Sequence, residues 1–172
     1  MSARSEPGRH PLPKRIATFA ALEAIAALLL GIGLAAAYAA EAPDNVEAKV
    51  AEAVQSCKDL DGKPNADAVL STKDVNGDGG EDWIADYSKL SCQGGINQMC
   101  DVEGCVLQIY LWNGSTAWNL AFDEAVKSYR FSKRHGQHLL QVVTAGSVCD
   151  KPSSANCHLT YILNQDSVDL AQ

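Results

Sequence analysis

The 172-residue sequence carries a formal charge of −7, from 14 Lys and Arg against 21 Asp and Glu. Affinity for nucleic acid rests on phosphate neutralisation, so this balance excludes a nucleic-acid partner and disfavours adhesion to anionic lipid, while permitting bound cations. The charge is uneven: residues 1–40 hold four basic and two acidic residues, which leaves 14 − 4 = 10 basic and 21 − 2 = 19 acidic side chains in the remaining 132, a charge of −9.

Arg4, Arg9, Lys14 and Arg15 give a basic start, and an apolar run from Ile16 to Ala40 is interrupted only by Glu23. The uninterrupted stretch, Ala24 to Ala37, is 14 residues long. A spanning helix needs about 20 apolar residues and a signal segment about 7–15. With Ala37-Tyr38-Ala39 as a small-x-small site, residues 1–40 read as a signal peptide cleaved after Ala39 or Ala40. The alternative is an uncleaved anchor, the one membrane attachment the sequence allows. Export to the periplasm or the cell exterior follows from either reading.

The exported part is long enough for one domain. It divides into an N-terminal helix over 41–62 and a β domain over 63–172. Pro43 and Asp44 precede Val46, Val50, Val54 and Cys57, a helical spacing along one face. Asp44 with Glu47 has the spacing of a capping box, and Asp61-Gly62 and Pro64 end the helix.

Beyond Pro64 the period becomes two. Trp83, Ala85 and Tyr87 alternate with Ile84, Asp86 and Ser88, and Leu107, Ile109 and Leu111 with Gln108 and Tyr110. Asn113-Gly114 has the composition of a type I′ turn, which predicts a hairpin over 106–122 with Trp118, Leu120 and Phe122 alternating on its far side. Tyr129 and Phe131 lead to a turn at Arg134-His135-Gly136, and 139–143 and 159–163 read as two further strands. The expected fold is mainly β (α+β), an antiparallel meander closing into a sandwich or barrel with one N-terminal helix.

All six cysteines, Cys57, Cys92, Cys100, Cys105, Cys149 and Cys157, follow the export segment, as a disulfide framework would. Six cysteines allow 15 pairings. Proximity favours Cys149–Cys157 and Cys100–Cys105, and Cys57–Cys92 would then tie the helix to the sheet. Zinc fits poorly, since no C-x-x-C pair occurs; of the remaining histidines, His135, His138 and His158, the first two could join Asp150 in a site, but they flank a turn.

One loop offers chemistry. In DVNGDGGED, residues 74–82, Asp74, Asn76 and Asp78 alternate so that a looped backbone can turn their oxygens to one centre. Gly79 suits a sharp bend, Gly80 offers a carbonyl and Asp82 a further carboxylate, a donor set for a hard cation such as Ca²⁺. Asn, Asp and Gly also build metal-free Asx turns. The stretch resembles the D-x-[DN]-x-D-G-x-x-D loop of integrin-like FG-GAP repeats, with Trp83-Ile84-Ala85 as the following strand. It also resembles the start of an EF-hand loop, with Ala85 where the bidentate Glu would stand. The longer string DVNGDGGEDWIADYSKLSC is similar to a group of small exported bacterial proteins. The resemblance implies a structural, weakly held calcium ion, and its motif covers about thirteen residues with no second copy in the chain.

No catalytic constellation emerges. Ser147 lacks the G-x-S-x-G setting, Asp82 and Asp86 lack a large cleft, and the cysteines lack a redox spacing. Trp112 and Trp118 flank Asn113-Gly114 and would make either a cross-strand pair or a ledge for sugar or protein. The sequence therefore predicts a non-enzymatic exported domain that binds another macromolecule, protein or glycan. Its alternative is a periplasmic inhibitor of a hydrolase such as lysozyme or a protease.

Overall fold

The computed structural model describes residues 42–114 and 117–171. The expected signal segment, residues 1–40, lies outside the described residues. The chain opens with helix α1 (Asp44–Asp59) and continues through ten strands: β1 (Lys63–Asn65), β2 (Leu70–Lys73), β3 (Asp82–Asp86), β4 (Ser91–Gln93), β5 (Cys105–Trp112), β6 (Trp118–Val126), β7 (Ser128–Arg134), β8 (Gln137–Ala145), β9 (Asn156–Leu163) and β10 (Val168–Leu170). Every pairing is antiparallel, so the fold is mainly β with one helix. Two four-stranded sheets, ordered β2-β3-β5-β6 and β10-β9-β8-β7, pack face to face, and β1 and β4 form a short ribbon.

Three layers result. Ile84, Leu107, Ile109, Leu111, Phe122 and Val126 of the first sheet meet Leu140, Val142 and Leu163 of the second in the main core. On the other face of the first sheet, Trp83, Ala85, Tyr87 and Tyr110 are covered by Val46 and Ala53 of α1, with Val50 and Val54 packed at the margin. All five residues of β3 are therefore buried, whichever way they point. Gln108, pointing to the helix side, accepts from the Tyr110 hydroxyl at 3.0 Å and donates to Asp123 at 3.2 Å, which satisfies its buried amide.

Cys57–Cys92 joins α1 to the β1–β4 ribbon, Cys100–Cys105 closes the turn into β5, and Cys149–Cys157 ties the 3-10 turn after β8 to β9. Three bridges are typical of proteins that work in an oxidising compartment.

Three local expectations are corrected. The helix has no capping box: its N-cap is Pro43, which has no side-chain acceptor, and the Pro43 carbonyl takes both Val46 N–H and Glu47 N–H. Asp44 and Glu47 stay in the first turn, where they oppose the positive end of the helix dipole. The hairpin at Asn113-Gly114 is not a two-residue turn. Trp112 and Trp118 close the ladder as a pair, leaving residues 113–117 as the connection, and Asn113 lacks the positive φ of a type I′ turn. The residues of that turn type stand instead at His135 (φ 52°) and Gly136 (φ 84°), which join β7 to β8 directly. Finally, a register shift opposite Ile109 and Tyr110 breaks the alternation of β6, so Phe122 enters the core while Leu120 stays 48% exposed.

Candidate functional site

Lys73 of β2 pairs with Asp82 of β3, so residues 74–81 form the connection between two neighbouring strands. The loop caps its own backbone. Asp74 Oδ1 accepts Gly77 N–H at 2.6 Å and Oδ2 accepts Gly79 N–H at 3.1 Å. Asn76 Oδ1 accepts Asp78 N–H at 3.0 Å, and Asp78 Oδ1 accepts Gly80 N–H at 2.8 Å. These are successive Asx turns, with Gly77 and Gly79 supplying the positive φ angles they require.

Groups from both sheets pin this loop. The His138 ring of β8 lies so close over Gly77 that a β-carbon there would stand 2.4 Å from Nε2. Since a carbonyl only accepts, Nδ1 of His138 carries a proton and donates to Val75 O at 3.1 Å. Trp112 covers Gly80 just as tightly, and Trp118 Nε1–H donates to Glu81 O at 2.8 Å. Asn76 Nδ2 reaches across to the carbonyls of Asn164 and Gln165 in the β9–β10 turn. The two tryptophans, 4.6 Å apart between ring centroids, are thus engaged as a cross-strand pair against the loop.

Beneath the loop, Asp82 is fully buried, its two oxygens accepting Val75 N–H and Trp112 N–H at 2.9 Å each. Burial pushes its carboxyl above the usual range, those two N–H groups pull it back, and the Asp78 and Asp74 charges raise it again. Among the described residues the ion pairs are Lys49–Glu52 and Lys89–Asp86, so none of these three carboxylates is ion-paired with a basic side chain.

Among the described residues no three His, Cys, Asp or Glu side chains gather closely enough to enclose a metal ion. The donor chemistry still suits a hard cation. Among the described residues each carboxylate oxygen of Asp74, Asp78 and Asp82 accepts a single hydrogen bond, and such an oxygen has room for a second partner. Asp74, Asn76 Oδ1, Asp78 and the Gly80 carbonyl lie on the loop itself, with Asp82 at its base.

The remaining candidates are dispersed. His138 begins β8 and Asp150 follows its far end, so with His135 in the turn they cannot share an ion. The Ser147 hydroxyl donates to Glu103 at 3.4 Å. Asp86, four residues from Asp82, accepts the Tyr129 hydroxyl at 3.0 Å and the Ser88 hydroxyl at 2.6 Å, a polar tie between the sheets that no sequence motif announces. His138 and Asn164 were equally invisible in the sequence as loop partners, lying 64 or more residues beyond the motif's start.

The fold and loop define a class: a disulfide-stapled, helix-covered antiparallel sandwich with an acidic hairpin connection at one end. No family model, curated protein or solved structure matches the chain.

Proposed function

We propose that this is an exported, non-enzymatic domain of the periplasm or cell exterior that binds another macromolecule and carries a structural calcium ion in the 74–82 loop. The observation behind the calcium reading is the buried Asp82 carboxylate beside Asp74 and Asp78, with no basic side chain paired to any of them. The likeness to the FG-GAP loop supports it. Calcium would neutralise that cluster and be held by Asp74, Asn76, Asp78 and Gly80, with Asp82 at the base. With four or five protein donors and no bidentate Glu, the dissociation constant is expected at about 10⁻⁴–10⁻³ M, as in extracellular modules.

The test is thermal unfolding of the oxidised protein in chelator and in about 10 mM CaCl₂, where occupancy adds about 1.4–2.7 kcal/mol. Asp78→Ala should lose the shift. A wild-type Tm that ignores calcium overturns the reading.

A second reading, a hydrolase inhibitor, draws on another observation. Val102 is 87% exposed inside the Cys100–Cys105 turn, and Val148 is 58% exposed beside Cys149. The Ser147–Glu103 hydrogen bond links the two turns. Disulfide-held apolar tips suit insertion into a cleft with little loss of entropy. Inhibition of a lysozyme or protease that is lost in Val102→Asp would establish this reading, and no inhibition of either would remove it.

A further inference from the structure

The outer face of the second sheet is a lattice fixed by its pairing. Ser128, Val143 and His158 form one row across β7, β8 and β9, and Arg130, Gln141 and Thr160 the next. These residues line a cavity of about 310 Å³, at the small end of the ligand-pocket range of about 300–1,000 Å³.

Three features of this cavity point to an anion. In a chain of 21 acidic and 14 basic residues, no Asp or Glu lines it. Arg130 is aimed: its Nε–H donates to Gln141 Oε1 at 2.7 Å, which lays the side chain toward β8, and among the described residues neither terminal NH₂ group makes a hydrogen bond. Ser132 donates to the same oxygen at 3.4 Å, fixing the amide that holds the arginine. Among the described residues no carboxylate pairs with Arg130.

A guanidinium held through Nε presents an end-on fork, the geometry that matches a carboxylate with two parallel hydrogen bonds. The rest of the lining sets hydrogen-bonding groups, the Ser128 and Thr160 hydroxyls, the Gln141 amide and the His158 imidazole, among apolar surface from Val142, Val143 and Leu159 with Tyr129 beside them, as the polar hydroxyls and apolar ring faces of a sugar require. That pattern suits a ligand that carries one carboxylate and several hydroxyl groups.

We propose that this cavity binds an acidic sugar, a uronate whose carboxylate pairs with Arg130 and whose hydroxyls meet Ser128, Gln141 and Thr160. The site shares no residue with the 74–82 loop and needs no calcium there. The domain's negative charge repels a polyanion at long range, so recognition depends on the local fork, and added salt weakens it by screening the exposed pair.

The experiment is a titration of the oxidised, ¹⁵N-labelled protein with galacturonate, repeated with galactose and with inorganic phosphate, in chelator and in calcium. Galacturonate is expected to shift the amides of Ser128, Val143 and Thr160, with galactose and phosphate each binding roughly tenfold more weakly or not at all. Arg130→Lys keeps the charge and loses the fork, and should weaken galacturonate by roughly tenfold while Tm stays unchanged. Galactose or phosphate matching galacturonate overturns the proposal, as does a folded Arg130→Lys variant that binds normally. Galacturonate binding without a calcium-dependent Tm shift leaves this site standing and removes the calcium reading; the converse result does the opposite.

Discussion

The two large sheets carry equal numbers of strands but are finished differently. The first is sealed on both faces, by the second sheet and by α1, so Ile84 and Trp83 are buried on its opposite sides. The second is sealed on one face only: Leu140 and Val142 are buried inward, while Leu139, Gln141 and Val143 between them stay half-exposed. A sheet covered on both sides has its side chains committed to packing, whereas an uncovered face leaves residues free to meet a ligand. The half-exposed face is where the aimed arginine stands, and the sealed sheet is where the loop is pinned.

The largest expected effect tests how the cover is held. Replacing Cys57 and Cys92 with Ser opens a cross-link of sequence separation 35 between α1 and β4, and should cost about 4 kcal/mol by chain entropy. Opening Cys149–Cys157, with a separation of 8, should cost about 2.5 kcal/mol. Denaturant midpoints of the two pairs, both measured against the intact protein, would show whether the cover over the first sheet is the more dependent on its bridge.

Packing should divide the sheets in the same way. Leu107 is fully buried in the main core, and Leu107→Ala should cost about 3 kcal/mol through lost contacts and a residual cavity. Leu139 sits on the open face, and Leu139→Ala should cost less than about 1 kcal/mol. Equal losses in chemical denaturation would mean that the outer face is covered after all.

The fold class was legible because its signals are local. Alternation over Leu107–Leu111 and the helical spacing of Val46, Val50 and Val54 state which way each side chain faces, and both patterns recur in the core. What misled was also local: Asn113-Gly114 has the better turn composition, yet the Trp112–Trp118 pair closes the ladder first, and His135-Gly136 takes the tight turn. Short strands such as β1, β4 and β10, of three residues each, lack enough periodicity to register at all. In the loop, the oxygens at Asp74, Asn76 and Asp78 could be read from spacing. The clamps could not, because His138 over Gly77 and Asn76 against Asn164 are contacts between distant segments.

The smallest expected effect concerns the sealed sheet's acidic end and is the most diagnostic because it changes sign. Asp82 has a folded pKa above the ordinary Asp value, so the native state favours its protonated form more than the unfolded chain does. The stability it contributes is complete below the unfolded pKa of about 3.9 and is lost as pH rises through the higher folded value. In chelator, Asp78→Asn removes one of the charges that raise this pKa and keeps an oxygen for Gly80 N–H. It should therefore stabilise the neutral-pH protein, by less than about 1 kcal/mol because Asp78 is exposed. In calcium the same change removes an anionic ligand and should destabilise. Thermal melts of wild type and Asp78→Asn near neutral pH, with and without calcium, give the four values needed. A variant whose effect has the same sign in both conditions would mean that the crowded carboxylates and the cation do not act on one another.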